Sequence, residues 1–176
     1  MLSYQNENCD LTLREGIEEY RNYLKINNRH VLGENCSEDE KLTILGHDAT
    51  HVIFGLDTSL EEEAMLDCWV LFGGNVLQVI KEFYKGSLDL KETNEKVFAL
   101  TKEVGYLKFT YLYLRVMFQK WPKIFFRTRK MKKWSYFFPS NFLEKKVSDL
   151  RKDFNIKILS PEERKMKKIF WQRAIS

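Results

Sequence analysis

The stretch GHDATHVIFGLDTSLEEEAML, Gly46 to Leu66, decides how this chain is read. On a helix, residues four apart lie one turn above each other on the same face, so His47 and His51 converge. Two histidines at that spacing are a familiar half of a metal site. Asp48 lies about 100° further round, where it can reach the same ion or orient a histidine. The connection GLDT that follows is short, and helices joined by so short a loop usually run antiparallel as neighbours. A fold-back at Gly55 brings Glu63 beside the end of the histidine helix. The stretch then supplies two imidazoles and one or two carboxylates, a ligand set for zinc, iron or manganese.

A plainer reading competes with this one. Histidine pairs arise by chance, and SLEEE is how any solvated helix start looks, because acids favour the positive end of the helix dipole. Two features favour the metal. The chain has only 3 histidines and two of them are here. The face of Glu63 also carries Leu60, Val70, Gly74 and Leu77 with Asp67, and a carboxylate on a mostly apolar stripe needs a partner. The motif is not that of a zincin, which places a glutamate directly after the first histidine.

Outward from this stretch the periodicity stays helical. LTLREGIEEYRNYLK spaces Leu13, Ile17, Tyr20 and Leu24 along one face. Ser37 and Glu40 open the histidine helix as a capping box, and Ser59 and Glu62 repeat the device for the next, which the pattern carries to Gly86. A long apolar segment is expected from about Thr93 to Lys120, ended by Trp121-Pro122. A shorter helix is expected near Phe142 to Phe154 and a last one after Pro161. No stretch alternates with period two. The expected fold is therefore all-α: residues 1–176 form a single-domain helical bundle with an apolar groove between helices.

Composition agrees. The chain has 176 residues, 44% of them hydrophobic and 31% charged, with few Gly and Pro (8 and 3), which suits one globular domain rather than a disordered or collagen-like chain. A net charge of +4 is too mild to imply nucleic acid. Cys9, Cys36 and Cys68 are widely spaced and odd in number, the pattern of a reducing compartment. No export or organelle signal and no membrane-spanning run is visible, because CWVLFGGNVLQVI falls short of the roughly 20 residues a span needs.

His47, Asp48, His51 and Glu63 follow the spacing H-D-x-x-H-x11-E, which resembles the signature of the ubiquinone-biosynthesis family commonly called Coq-four. GLDTSLEEEAML and the late FLEKKVSDLRKDFNI resemble that family in character as well. The resemblance implies an all-helical protein with a divalent metal, usually zinc, held by His47, Asp48, His51 and Glu63. It implies a prenylated aromatic or isoprenoid lipid in an apolar tunnel, a membrane surface and other quinone-biosynthesis enzymes as partners, and a homodimer as one assembly. The family is described both as a pathway scaffold and as an oxidative decarboxylase of the prenylated ring, and both roles stay open here. The expected location is cytoplasmic and peripherally membrane-associated.

Three further features bear on this expectation. Gly73-Gly74 sits inside the apolar run, where either a close helix crossing or a groove for an isoprenoid tail would compensate the poor helix propensity of glycine. KWPKIFFRTRKMKKW, Lys120 to Trp134, has seven Lys or Arg and no acid. It reads as a solvated basic face, as contact with anionic lipid, or as a single-strand nucleic-acid surface, of which lipid is preferred to nucleic acid. The alternatives for the whole chain are a metal-dependent phosphohydrolase of the histidine-aspartate type, with His30 as an upstream ligand, and a non-catalytic helical lipid-binding module.

Overall fold

The computed structural model describes residues 1–29, 31, 38–75, 98, 101–102 and 104–170. The regular elements among these residues are helices, with no strand. Helix α1 spans Leu13–Ile26, α2 Glu38–Phe54, α3 Leu60–Gly73, α4 Tyr106–Thr128, α5 Val147–Phe154 and α6 Pro161–Arg164. Short 3-10 turns at Ser3–Gln5 and Ser140–Glu144 join them.

Each start has a local cause. Thr12 caps α1 through its hydroxyl and Glu15, completing a capping box. Leu13, Ile17, Tyr20 and Leu24 are buried as their spacing requires. Gly55 ends α2 in the left-handed region at φ 68°, and Leu56 N donates to His51 O at 2.9 Å, so the chain reverses at once. Ser59 Oγ accepts from Glu62 N at 3.2 Å and starts α3. Ser37 and the side chain of Glu40, expected to cap α2, lie outside the described residues.

Helix α1 packs on α2, α3 chiefly on α4, and α2 on α5. At the α1–α2 crossing a Cβ on Gly16 would stand 2.7 Å from Val52 Cγ1, so the missing side chain permits the approach. Phe54 stacks on Trp69 at 4.7 Å between α2 and α3. Trp134, after α4, gathers Phe138, Phe142 and Phe154 around it. The fully buried rings among these, Phe54, Trp69 and Trp134, each contribute about 1.5–3 kcal/mol. Arg151 of α5 is 2% exposed and fastens distant pieces together. Its guanidinium donates to the carbonyls of Tyr4, Asn6, Glu7, Val52 and Ile53, which ties the N-terminal segment to the end of the histidine helix.

Four boundaries differ from expectation. Helix α3 stops at Gly73, not Gly86, because the chain leaves it to pair with the segment after α4: Trp134 N donates to Gly73 O and Asn75 N to Trp134 O, both at 2.9 Å. A Cβ on Gly73 would sit 2.8 Å from Met131 Sδ, so this glycine serves close packing. Helix α4 runs through Pro122 to Thr128. The carbonyl that Pro122 leaves without a donor belongs to Phe118, and Phe118 and Pro122 are both exposed, so water can satisfy it. Helix α5 begins at Val147 rather than Phe142, and α6 is a single turn followed by extended chain. Residues 76–86, the part of the expected helix that would help to line the apolar groove, lie outside the described residues. No described helix is long and apolar enough to cross a membrane.

Candidate metal centre

Helix α2 presents His47 and His51 on one face, and the reversal at Gly55 lays the first turn of α3 against them. His47, His51 and Glu63 each offer a ligand atom, and these atoms lie within 4.8 Å of one another. His51 Nε2 is 3.3 Å from Glu63 Oε1 and His47 Nε2 is 3.9 Å from Glu63 Oε2. The two imidazoles meet edge to face with ring centres 4.6 Å apart. Below them Tyr20 of α1 stacks on His51 at 4.9 Å, filling the floor with an aromatic ring.

Asp48 stands beside the three rather than among them. One of its oxygens is 3.5 Å from His47 Nδ1, and the other accepts from Arg21 Nε at 2.6 Å. Both oxygens are thus engaged outside the point where the Nε2 atoms and Glu63 meet, in the position of a carboxylate that orients a histidine. No motif in the sequence points to Arg21, one of several charged residues in the α1 stretch.

The residues suit a cation on their own terms. His51 is fully buried, and neither of its ring nitrogens has a hydrogen-bond partner among the described residues; the Glu63 contact at 3.3 Å is misaligned for one. A buried imidazole left this way is costly, and a metal ion would satisfy it. Burial depresses the His47 imidazole, but Asp48 and Glu63 outweigh it and hold the group up at about 10. Burial likewise pushes the Glu63 carboxyl up, while His51 and His47 bring it well below the usual carboxylate range. Two histidines and a carboxylate therefore form a preassembled, charge-compensated cluster that can hold a metal ion.

The neighbouring acids are not the solvated helix start that SLEEE suggests, nor free to be replaced as an exposed pair would be. Glu61 is 2% exposed and Glu62 0%. Glu61 Oε2 accepts from Ile169 N at 2.8 Å. Glu62 Oε2 accepts from Asp57 N at 2.6 Å, and its other oxygen pairs with Lys168 Nζ at 2.6 Å. Arg164 Nη1 donates to Gly55 O at 2.9 Å, and Leu60 N donates to Ile169 O at 2.8 Å. The extended chain after α6 thus straps the turn and the first turn of α3 from behind, while Glu63 alone faces the histidines.

One turn beyond Glu63, Asp67 accepts from the Tyr113 hydroxyl of α4 at 3.0 Å. Asp67 is open to solvent, yet sits deep enough in the body of the protein for desolvation, then Glu63, to push its carboxyl up. Tyr136 closes another side. Its backbone oxygen lies 2.5 Å from where a Gly46 Cβ would be, and burial with the charges of Asp67, Glu63 and Asp48 pushes its phenol up. Asp67 is on the Glu63 face in the sequence pattern, but no motif points to Tyr113, inside the long apolar segment, or to Tyr136, just past the basic stretch.

The basic stretch is partly neutralised at home. Glu163 of α6 pairs with Arg127 at 2.8 Å and Lys123 at 3.6 Å, while Ile124 and Trp134 are buried. His30 lies outside the described residues. No protein-family model, no curated protein and no solved structure matches this chain.

Proposed function

We propose that this chain binds one divalent metal ion, zinc, through His47, His51 and Glu63 and acts on a prenylated aromatic lipid of ubiquinone biosynthesis. The observation that carries the reading is the convergence of the three side chains around a buried, unpartnered His51. The H-D-x-x-H-x11-E spacing, which resembles the Coq-four signature, supplies the pathway. Three protein ligands, with the His47 side chain still 26% exposed, leave room for another molecule, whereas structural zinc sites are closed by four. This favours a site that receives a ligand over one that only braces two helices. A bound metal would polarise the ring carboxylate of the lipid. Asp48, gripped by Arg21, holds His47 in its tautomer and orientation, and the stacked Tyr20 keeps water from below. The protein works from the cytoplasmic side of a membrane surface, beside other enzymes of the pathway.

Metal analysis of purified protein tests the centre. About one ion per chain is expected in the parent, with loss in His51→Ala and Glu63→Gln; full metal content in both variants would overturn it. The pathway is tested in cells. A strain lacking the protein should accumulate a prenylated ring that keeps its carboxyl group, and an unchanged lipid extract refutes that part.

A further inference from the structure

The centre has a polar group that the three metal-binding side chains leave unused. Asp67 follows Glu63 by one helical turn, so both carboxylates project from the same face of α3. Tyr113 occupies Asp67 Oδ2 and fixes the carboxylate. Asp67 Oδ1 has no donor among the described residues, and the side chain is exposed. A carboxylate oxygen only accepts, so a ligand that replaces water at this exposed oxygen must bring a hydrogen. An ammonium group would be repelled by a metal ion and by the two imidazoles. A neutral hydroxyl would not be. Tyr113, bonded to Asp67, and Tyr136, whose phenol feels the charges of Asp67 and Glu63, put two aromatic side chains beside this face.

We infer that Asp67, held by Tyr113, is a positioning residue that accepts a hydrogen bond from the hydroxyl of an aromatic molecule bound at His47, His51 and Glu63. It thereby sets a preference for hydroxylated over capped rings. The inference rests on the proposed metal centre, and the experiment separates the two.

The full chain is loaded with cobalt(II), whose visible absorption reports ligand exchange, and titrated with catechol and with 2-methoxyphenol, which lacks the second O–H. Cobalt content is measured for each variant. The parent's preference for catechol should fall about tenfold in Asp67→Ala, the loss expected for one hydrogen bond to a charged acceptor. Asp67→Asn, which keeps the shape, should lose an intermediate share, and Tyr113→Phe should lower the preference by freeing the carboxylate to rotate. Cobalt content should stay at the parent level throughout. An unchanged preference in both Asp67 variants overturns the inference, and so does loss of cobalt from them, which would make Asp67 a ligand. A parent that holds cobalt but does not respond to catechol overturns the inference alone. A parent that holds no cobalt overturns the metal centre and the inference with it.

Discussion

Glu62 and Glu63 are adjacent in sequence, and replacing each should have opposite effects. In Glu62→Ala, Asp57 N loses its acceptor inside the protein, and a buried donor left unsatisfied costs about 1–3 kcal/mol. Lys168 and Arg164 lose a counter-charge at 2.6 and 3.8 Å. Breaking a fully buried pair costs about 3–5 kcal/mol, but Lys168 keeps Asp57 at 2.5 Å and its side chain is 30% exposed, so this part is smaller. The Glu62–Asp57 repulsion that helps to push the Glu62 carboxyl up is relieved and returns some of the loss. The net is about 3 kcal/mol. At about 2–4 °C per kcal/mol for a chain of this size, Tm should fall by about 6–12 °C. Far-ultraviolet dichroism against temperature, with chelator present, reads this directly. Glu62→Ala should still bind metal in the cold with parent stoichiometry. Glu63→Gln should lose the metal, and its chelated Tm should fall less than that of Glu62→Ala, because the side chain keeps its shape and protonated His47 keeps Asp48 as a partner. A Tm for Glu62→Ala within about 2 °C of the parent would refute the assignment of Glu62 to a buried, strap-holding role.

Other perturbations follow the same logic. Arg151→Met should cost more than about 4 kcal/mol, because five backbone carbonyls lose their donor; Arg151→Lys should not rescue it, since an ammonium has too few donors, and chemical unfolding measures both. Gly46→Ala should cost about 2 kcal/mol, the usual scale for overpacking, because the new Cβ meets the Tyr136 backbone oxygen at 2.5 Å; metal affinity should fall with it, and parent-like affinity and Tm would contradict the contact. Metal uptake at pH 7 should release about one proton, since His47 stays protonated up to about 10 and must be neutral to ligate; calorimetry in two buffers of different ionisation heat counts it, and a count of zero refutes the assignment. In the metal-free protein the raised His47 contributes stability that is fully present below 6.5 and is lost as pH rises through about 10, so denaturation midpoints should decline over that window.

The helices around the centre were legible because their causes are local. The α1 stripe, the reversal at Gly55 and the facing of His47, His51 and Glu63 follow from spacing and one left-handed glycine. What was not legible depends on residues far along the chain. SLEEE looks the same whether its acids meet water or Lys168 and Ile169. Pro122 looks like a stop unless the exposure of Phe118 is known. Arg21 and Tyr113 reach the centre from α1 and α4, and no motif announces a side chain that crosses between helices.

The strap gives the centre a history as well as a geometry. Glu61 meets its partner Ile169 across 108 residues, and Asp57 meets Lys168 across 111. A ribosome adding about 5–20 residues per second takes on the order of 5–20 s to cover that distance. Through that interval the first turn of α3 has its acids but not the cations and amides that dehydrate them. The histidine cluster therefore assembles beside a negatively charged, still hydrated helix start, which favours early capture of a cation. Closure comes afterwards, when the late-made segment displaces water from Glu61 and Glu62 and locks the turn behind Glu63. An ion of the proposed kind would thus have access to the histidines before the late segment locks the turn.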